Sequence, residues 1–315
     1  MRRKAIIISI SGIKLNIKEK KLFIKHKPWG VILFRRNIKS YDQLKNLIQS
    51  IKKITRDRKY PIMIDEEGGT VTRLEKIFEN SIMSQRLFGK LYEKNKRVGI
   101  NIYKYYNDQI CLILKDLGIN INTVPILDKL YKNTHMFLRE RIYSDNIKTI
   151  KSLSNICIKS YKKNKILTLI KHIPGHGLAK KDSHKSLPII NKTTSFLMKN
   201  DFKCFKNTKS YLAMTAHILL KKIDENYCVT HSQKIIKNLI RKKIGFKGIL
   251  ISDDIGMLAL KYGIVENALK ALSAGCNLIL YCKGNYKQSL VLLNKLPFID
   301  KFTQKKTSEI YKFLS

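Results

Sequence analysis

Ile166-Leu167-Thr168-Leu169-Ile170-Lys171-His172-Ile173-Pro174-Gly175-His176-Gly177 is a short apolar run that passes into a polar segment punctuated by proline and glycine. Near-continuous apolarity over strand length reads as a strand buried on both faces. Pro174, Gly175 and Gly177 forbid a helix after it, so the stretch as far as Pro188 is expected to be a shaped loop. Three of the chain's seven histidines, His172, His176 and His184, are thereby placed just past the end of that strand. A rigid element that feeds a His-rich loop is how active sites are mounted on scaffolds.

The same alternation recurs along the chain. Apolar strand candidates cover 5–10, 30–34, 61–65, 121–126, 166–170, 211–216, 248–252 and 277–281. Between them, segments such as 41–54, 100–117, 147–162 and 232–244 carry apolar residues at helical spacing. Buried strands alternating with amphipathic helices imply a parallel sheet covered on both faces. Eight of them without a linker or composition break predict an α/β fold, a single (β/α)8 TIM-type barrel over 1–315 with irregular strands. The first connection reads as short and the third as long. Polar residues follow the strand candidates in turn: Asn37, then Asp65, Glu66 and Glu67, Asp128, the His loop, His217, and Asp253 with Asp254. A barrel gathers all of these at one face, where active sites form.

Composition bounds the rest. The 315 residues are 44% hydrophobic, ample for a large core, and no stretch approaches the roughly 18–20 apolar residues of a membrane span. Met1-Arg2-Arg3-Lys4 before Ala5–Ser11 has the outline of a secretory signal. Its apolar run is short, however, and leads into polar Lys14–Lys21 without a small-residue cleavage site, so it reads as a first strand. The six cysteines are scattered, with no C-x-x-C, which suits reduced thiols and a cytoplasmic location. The formal net charge of +40 would attract polyanions. Its lysines are spread along the whole chain, and the runs at 52–59, 162–165 and 301–306 read as separate solvated faces, so no specific nucleic-acid partner is expected.

Several constellations carry chemistry. Two adjacent acids, Asp253 and Asp254, leave a buried strand, a placement that suits a carboxylate nucleophile. It suits an N-cap equally well, and one acid can cap while the other reacts. Asp182-Ser183-His184 sets a carboxylate two residues from an imidazole, which it can orient as a general acid/base. The plain alternative is an Asx-turn with an exposed histidine. Lys171 and His172 can donate to a polar ligand, or be a surface lysine and an internally satisfied histidine. Arg73, beyond Gly68-Gly69, can form a planar fork to a ligand or be a solvated arginine in a surface turn. The set His172, His176, Asp182 and His184 also raises a metal site. His-x-x-x-His pairs its ligands on a helix, though, and Pro174-Gly175 breaks this one, so the spacing does not favour a metal.

Together these motifs resemble the bacterial β-N-acetylglucosaminidases (β-hexosaminidases) of glycoside hydrolase family 3, of the NagZ type. Lys171-His172-Ile173-Pro174-Gly175-His176-Gly177, then Asp182-Ser183-His184 and Pro188, is similar to that family's K-H-F-P-G-H-G…D-S-H…P. Gly245-Phe246-Lys247-Gly248 and Ser252-Asp253-Asp254-Ile255-Gly256-Met257 resemble G-F-x-G…S-D-D-L-S-M. The departures are Thr70, Gly256, Asn277 and a stretch from Arg139 to Asp145 one residue shorter than the family's.

The resemblance implies a retaining exo-β-N-acetylglucosaminidase acting on terminal N-acetylglucosamine, with peptidoglycan fragments of cell-wall recycling as substrate. It implies Asp253 as nucleophile, His184 as acid/base, Asp182 as its dyad partner, and Asp65, Arg73, Arg141, Lys171 and His172 as sugar-binding residues, with no metal or cofactor. A family-3 phosphorylase is the near alternative. A metal-dependent barrel hydrolase and a polyanion-binding protein with a vestigial site stand further off.

Overall fold

The computed structural model describes residues 2–315, so Met1 of the basic start lies outside it. Ten strands form: β1 (Lys4–Ile8), β2 (Pro28–Leu33), β3 (Ile62–Ile64), β4 (Ile121–Asn122), β5 (Leu167–Ile173), β6 (Ile189–Ile190), β7 (Leu212–Thr215), β8 (Leu219–Leu220), β9 (Ile249–Asp254) and β10 (Leu278–Tyr281). Eight of them close a parallel barrel in the order β1-β2-β3-β4-β5-β7-β9-β10, with β10 returning to β1. All eight strand candidates are in that barrel.

Side-chain alternation within these apolar strands builds two separate cores. Ala5, Ile7, Ile32, Met63, Ile121, Leu167, Leu169, Leu212, Met214, Ile249, Ile251, Leu278 and Leu280 fill the interior. Their neighbours Ile6, Ile8, Val31, Leu33, Ile62, Ile64, Ile170, Ala213, Leu250 and Ile279 face outward under the helices. Trp29 and the C-terminal helix Lys301–Phe313 complete the interior cluster: Ile310 packs into it, and the Trp29 Nε1–H donates to Thr307 Oγ1 at 2.9 Å.

The helix Tyr41–Thr55 shows how the outer layer forms. Ser40 caps it by accepting the Gln43 N–H, and it buries Leu44, Leu47, Ile48 and Ile51 at 3- and 4-residue spacing. Helices Lys96–Leu117 and Ile147–Lys163 and the π-helical Ile235–Ile244 lie where the sequence spacing places them. The basic runs lie apart from one another, 162–165 and 301–306 largely exposed and 52–59 largely half-buried. Five cysteines are buried and Cys282 is half-buried; among the described residues all six are free thiols. No helix among the described residues is long and apolar enough to cross a membrane.

Four details depart from the sequence reading. The first connection is not simply a short turn but holds the helix Ile17–His26, set by an Asn16–Glu19 capping box. Its lysine-rich exterior hides a narrow buried stripe of Glu19, Leu22 and Phe23. β4 is two residues long rather than six, and beyond it Ile126 makes only an isolated bridge to Lys171. β5 runs through to Ile173, which pairs with Thr215 after a register shift, so Lys171 and His172 lie on the strand itself and not past it. The pair β6–β8 was not anticipated, because two isolated two-residue strands carry no periodic signal.

Candidate active site

The C-terminal ends of the strands surround a cavity of about 240 Å³. Asp65, Arg73, Arg141, Lys171, His172, His184 and Asp253 line it, and Asp182 stands behind His184. A larger groove of about 850 Å³, bordered by Arg3, Lys27, Arg56 and Tyr60, holds none of these residues.

The two acids at the end of β9 separate by role. Asp254 Oδ1 accepts the N–H groups of Gly256 at 3.0 Å and Cys282 at 3.1 Å, so this carboxylate ties down two loops. Both acids line the cavity, but Asp253 Oδ1 takes only the N–H of Asp254, at 2.8 Å. Burial alone would raise the Asp253 pKa. The nearby imidazoles of His217 and His172 and the Asp254 N–H outweigh it and hold the group below the usual carboxylate range. Asp253 is therefore ionised and accessible, which a nucleophile requires.

His184 lines another part of the cavity wall, backed by Asp182. Asp182 Oδ1 accepts both the backbone N–H and the ring Nδ1–H of His184, each at 2.9 Å. This is an Asx-turn and an oriented imidazole at once, so the two sequence readings describe one object. Burial would raise the Asp182 pKa, but the His184 hydrogen bonds lower it below the ordinary range. With Nδ1 engaged, Nε2 is the ring atom left for proton transfer. The His184 side chain is 54% exposed, so the ring is reachable from solvent.

The opposite wall is cationic. Glu67 receives a two-pronged bond from Arg141, Nε at 2.8 Å and Nη2 at 3.0 Å, and the Lys171 ammonium lies 2.5 Å from its Oε1. Lys171 also donates to Thr123 Oγ1 at 2.7 Å and reaches Asp65 at 3.4 Å. Arg73 pairs with the same Asp65 at 3.3 Å and is not the solvated surface arginine that its turn sequence allows. Its Nε is buried with no partner among the described residues. Burial would raise the Asp65 pKa, yet Lys171 and Arg73 pull it far below the carboxylate range. Nor is Lys171 a surface lysine: its side chain is 3% exposed.

Sequence reasoning gathered Glu67 and Asp128 at this face without giving either a role. Glu67 stood in the acidic run with no distinguishing mark, and only the fold shows it bridging Arg141 and Lys171. Asp128 was placed at a strand end without a function. It bonds His172 Nδ1 at 2.7 Å and the backbone N–H of His176 at 2.7 Å, fixing the ring of one and the position of the other. The His176 ring is buried, its Nδ1 has no partner among the described residues, and burial followed by the His172 charge lowers its pKa to about 4. Asn37 binds the backbone carbonyls of Ile10 and Gly12, and Glu66 is enclosed by Thr72, Asn80 and two backbone N–H groups, so both hold loops. No three His, Cys, Asp or Glu side chains among the described residues cluster as metal ligands.

A closed parallel barrel whose mouth presents an ionised carboxylate, an oriented imidazole and a wall of paired cations is a TIM-barrel enzyme of polar substrates. Residues 3–305 match the glycosyl hydrolase family 3 N terminal domain; the chain belongs to that family and is a glycoside hydrolase. It is 28% identical over 296 residues to a beta-hexosaminidase of Methylobacillus flagellatus, covering 92% of this chain and 83% of that protein. The beta-hexosaminidase of Haemophilus influenzae is likewise 28% identical, over 88% of this chain and 79% of its own. Native NagZ of Neisseria gonorrhoeae superposes with a TM-score of 0.88 at 25% identity, over all of this chain and 90% of that one.

Proposed function

We propose that the chain is one catalytic barrel over 1–315 and a retaining exo-β-N-acetylglucosaminidase that releases terminal β-linked N-acetylglucosamine. The relatives named beta-hexosaminidase support the sugar. One observation carries the mechanism: an ionised Asp253 facing the same cavity as an imidazole whose Nδ1 is held by Asp182. The Asp253 carboxylate attacks the anomeric carbon while the glycosidic C–O bond breaks, and His184 Nε2–H protonates the departing oxygen. In the second step neutral His184 takes a proton from water. The water oxygen bonds to the anomeric carbon, Asp253 leaves, and two inversions give net retention. An imidazole in place of the usual second carboxylate spares the site like-charge repulsion with Asp253.

Asp65, Arg73, Arg141, Lys171 and His172 hold the sugar in this reading, since all five line the cavity. The substrates are peptidoglycan fragments and the setting is cytoplasmic cell-wall recycling, a reading that rests on the resemblance to NagZ-type enzymes. No metal or cofactor takes part.

The deciding experiment follows release from an aryl β-N-acetylglucosaminide in phosphate-free buffer. Asp253→Ala is expected to lower turnover by about 10⁴-fold or more. His184→Ala is expected to spare substrates with good leaving groups relative to poor ones. Parental rates in Asp253→Ala would overturn the nucleophile. Product that appears only when phosphate is added would replace hydrolysis by phosphorolysis.

A further inference from the structure

We infer that Phe137 is the positioning residue of the proton-transfer pair, holding the His184 ring at the angle from which Nε2 faces the cavity. The inference rests on the acid/base role proposed for His184. Phe137 sits on the short helix Met136–Arg139, in a segment fastened to the His loop at two points. Thr134 Oγ1 donates to the Gly177 carbonyl at 2.7 Å, and the His135 N–H donates to that of Ala179 at 3.1 Å. On the other side the Ala259 N–H, from the loop after β9, donates to the Ser183 carbonyl at 3.2 Å. The backbone carrying the dyad is thus held from both neighbouring loops.

The ring is a separate matter. Its side-chain hydrogen bond is the one from Nδ1 to Asp182, and a ring 54% exposed can pivot about a single bond. Phe137 removes that freedom: its ring centroid lies 5.0 Å from that of His184 at an interplanar angle of 77°, an edge-to-face contact. Phe137 is itself anchored, because the Arg141 guanidinium carbon sits 4.6 Å from its ring centroid. Arg141 in turn is locked to Glu67 by both prongs of its fork. A continuous line of contacts therefore runs from the cationic wall, through one aromatic ring, to the imidazole. Phe137 is 38% exposed, and nothing in Met136-Phe137-Leu138 marks it in the sequence. Leucine would fill its volume without supplying either aromatic contact.

The test compares Phe137→Ala, Phe137→Leu and Phe137→Tyr in the full chain, alone and combined with His184→Ala. Two β-N-acetylglucosaminides are used, one with a good aryl leaving group and one with a poor alkyl leaving group. Because kcat/KM reports the first step, a positioning role lowers it about 10–100-fold on the alkyl substrate, within the 10²–10⁴ that proton transfer contributes, and less than about 3-fold on the aryl one. Phe137→Tyr should restore the parental ratio and Phe137→Leu should not. With His184→Ala already present, Phe137→Ala should change the alkyl rate less than about 2-fold. Equal losses on both substrates, rescue by leucine, or an undiminished effect without His184 would each overturn the inference.

A readout independent of turnover is the NMR line width of the His184 ring. Mobility gained in Phe137→Ala and absent in Phe137→Tyr supports the role, and a ring unchanged in Phe137→Ala overturns it. If His184→Ala leaves both substrates unaffected, the acid/base assignment itself fails, while the ring measurement still decides what Phe137 does.

Discussion

Asp65, Glu66 and Glu67 are three consecutive acids with three different fates. Asp65 borders the cavity between Lys171 and Arg73, Glu66 is consumed by Thr72, Asn80 and loop N–H groups, and Glu67 is buried beneath two cations. Consecutive residues look alike in a sequence, whereas their partners lie up to 106 positions away in the chain. Glu67→Gln keeps the shape and removes the charge, leaving Arg141 and Lys171 buried with less compensation. The expected loss is about 3 kcal/mol in urea unfolding, together with a raised KM for the saccharide. An unchanged denaturation midpoint would mean that Asp65 alone balances both cations.

Among elements, the His loop and the short helix Asp201–Phe205 illustrate how packing sets protonation. Asp201 lies against Gly175 and accepts from Tyr131 at 2.7 Å, and burial raises its pKa from 3.8 to about 6. His176, one residue along the loop, is lowered by burial from 6.5 to about 4. Between pH 6.5 and 4 the unfolded chain binds more protons at His176, so that residue costs stability on acidification. Between pH 6 and 3.8 the folded chain binds more at Asp201, so that residue adds stability on acidification. The two oppose each other from pH 6 to 4. Asp201→Asn removes the compensation, and its stability should fall more steeply than the parent's over that window, by up to about 3 kcal/mol. His176→Asn should shift the profile the opposite way. Urea midpoints at pH 4, 5 and 6 decide it, and parallel profiles would show that neither group titrates differently on folding.

For the whole molecule, barrel closure places one tryptophan, the chain's only one, at the joint between the interior and the C-terminal helix. Trp29 is fully buried and spans the distance to Thr307, so the helix Lys301–Phe313 belongs to the barrel's core. Trp29→Phe removes the indole N–H and leaves the Thr307 hydroxyl its bond to the Thr303 carbonyl, so a modest loss of about 1 kcal/mol is expected. Trp29→Ala opens a cavity and should cost about 3–5 kcal/mol. Denaturant unfolding followed by circular dichroism measures both, and equal losses would make the hydrogen bond, not the packing, the dominant contribution.

The amino-acid sequence by itself determined the barrel. Strands buried on both faces must be continuously apolar, helices that cover them must be apolar on one stripe, and both patterns are local, so 166–170 and 41–54 were legible. The hidden stripe of Ile17–His26 and the two-residue β6–β8 pair were not, because short or lysine-masked segments carry too little periodicity. The sequence also delivered Asp253, His184, Asp182, Lys171 and His172 as candidates, since each follows or ends a recognisable strand. Only the tertiary structure decided that Asp254 is tied to two loop N–H groups and Asp253 only to its neighbour's, that Arg73 and Lys171 are paired rather than solvated, and that Glu67, Asp128 and Phe137 belong to the site. A carboxylate's charge, exposure and partners are set by residues distant in the chain, and closing the barrel is what brings them within bonding distance.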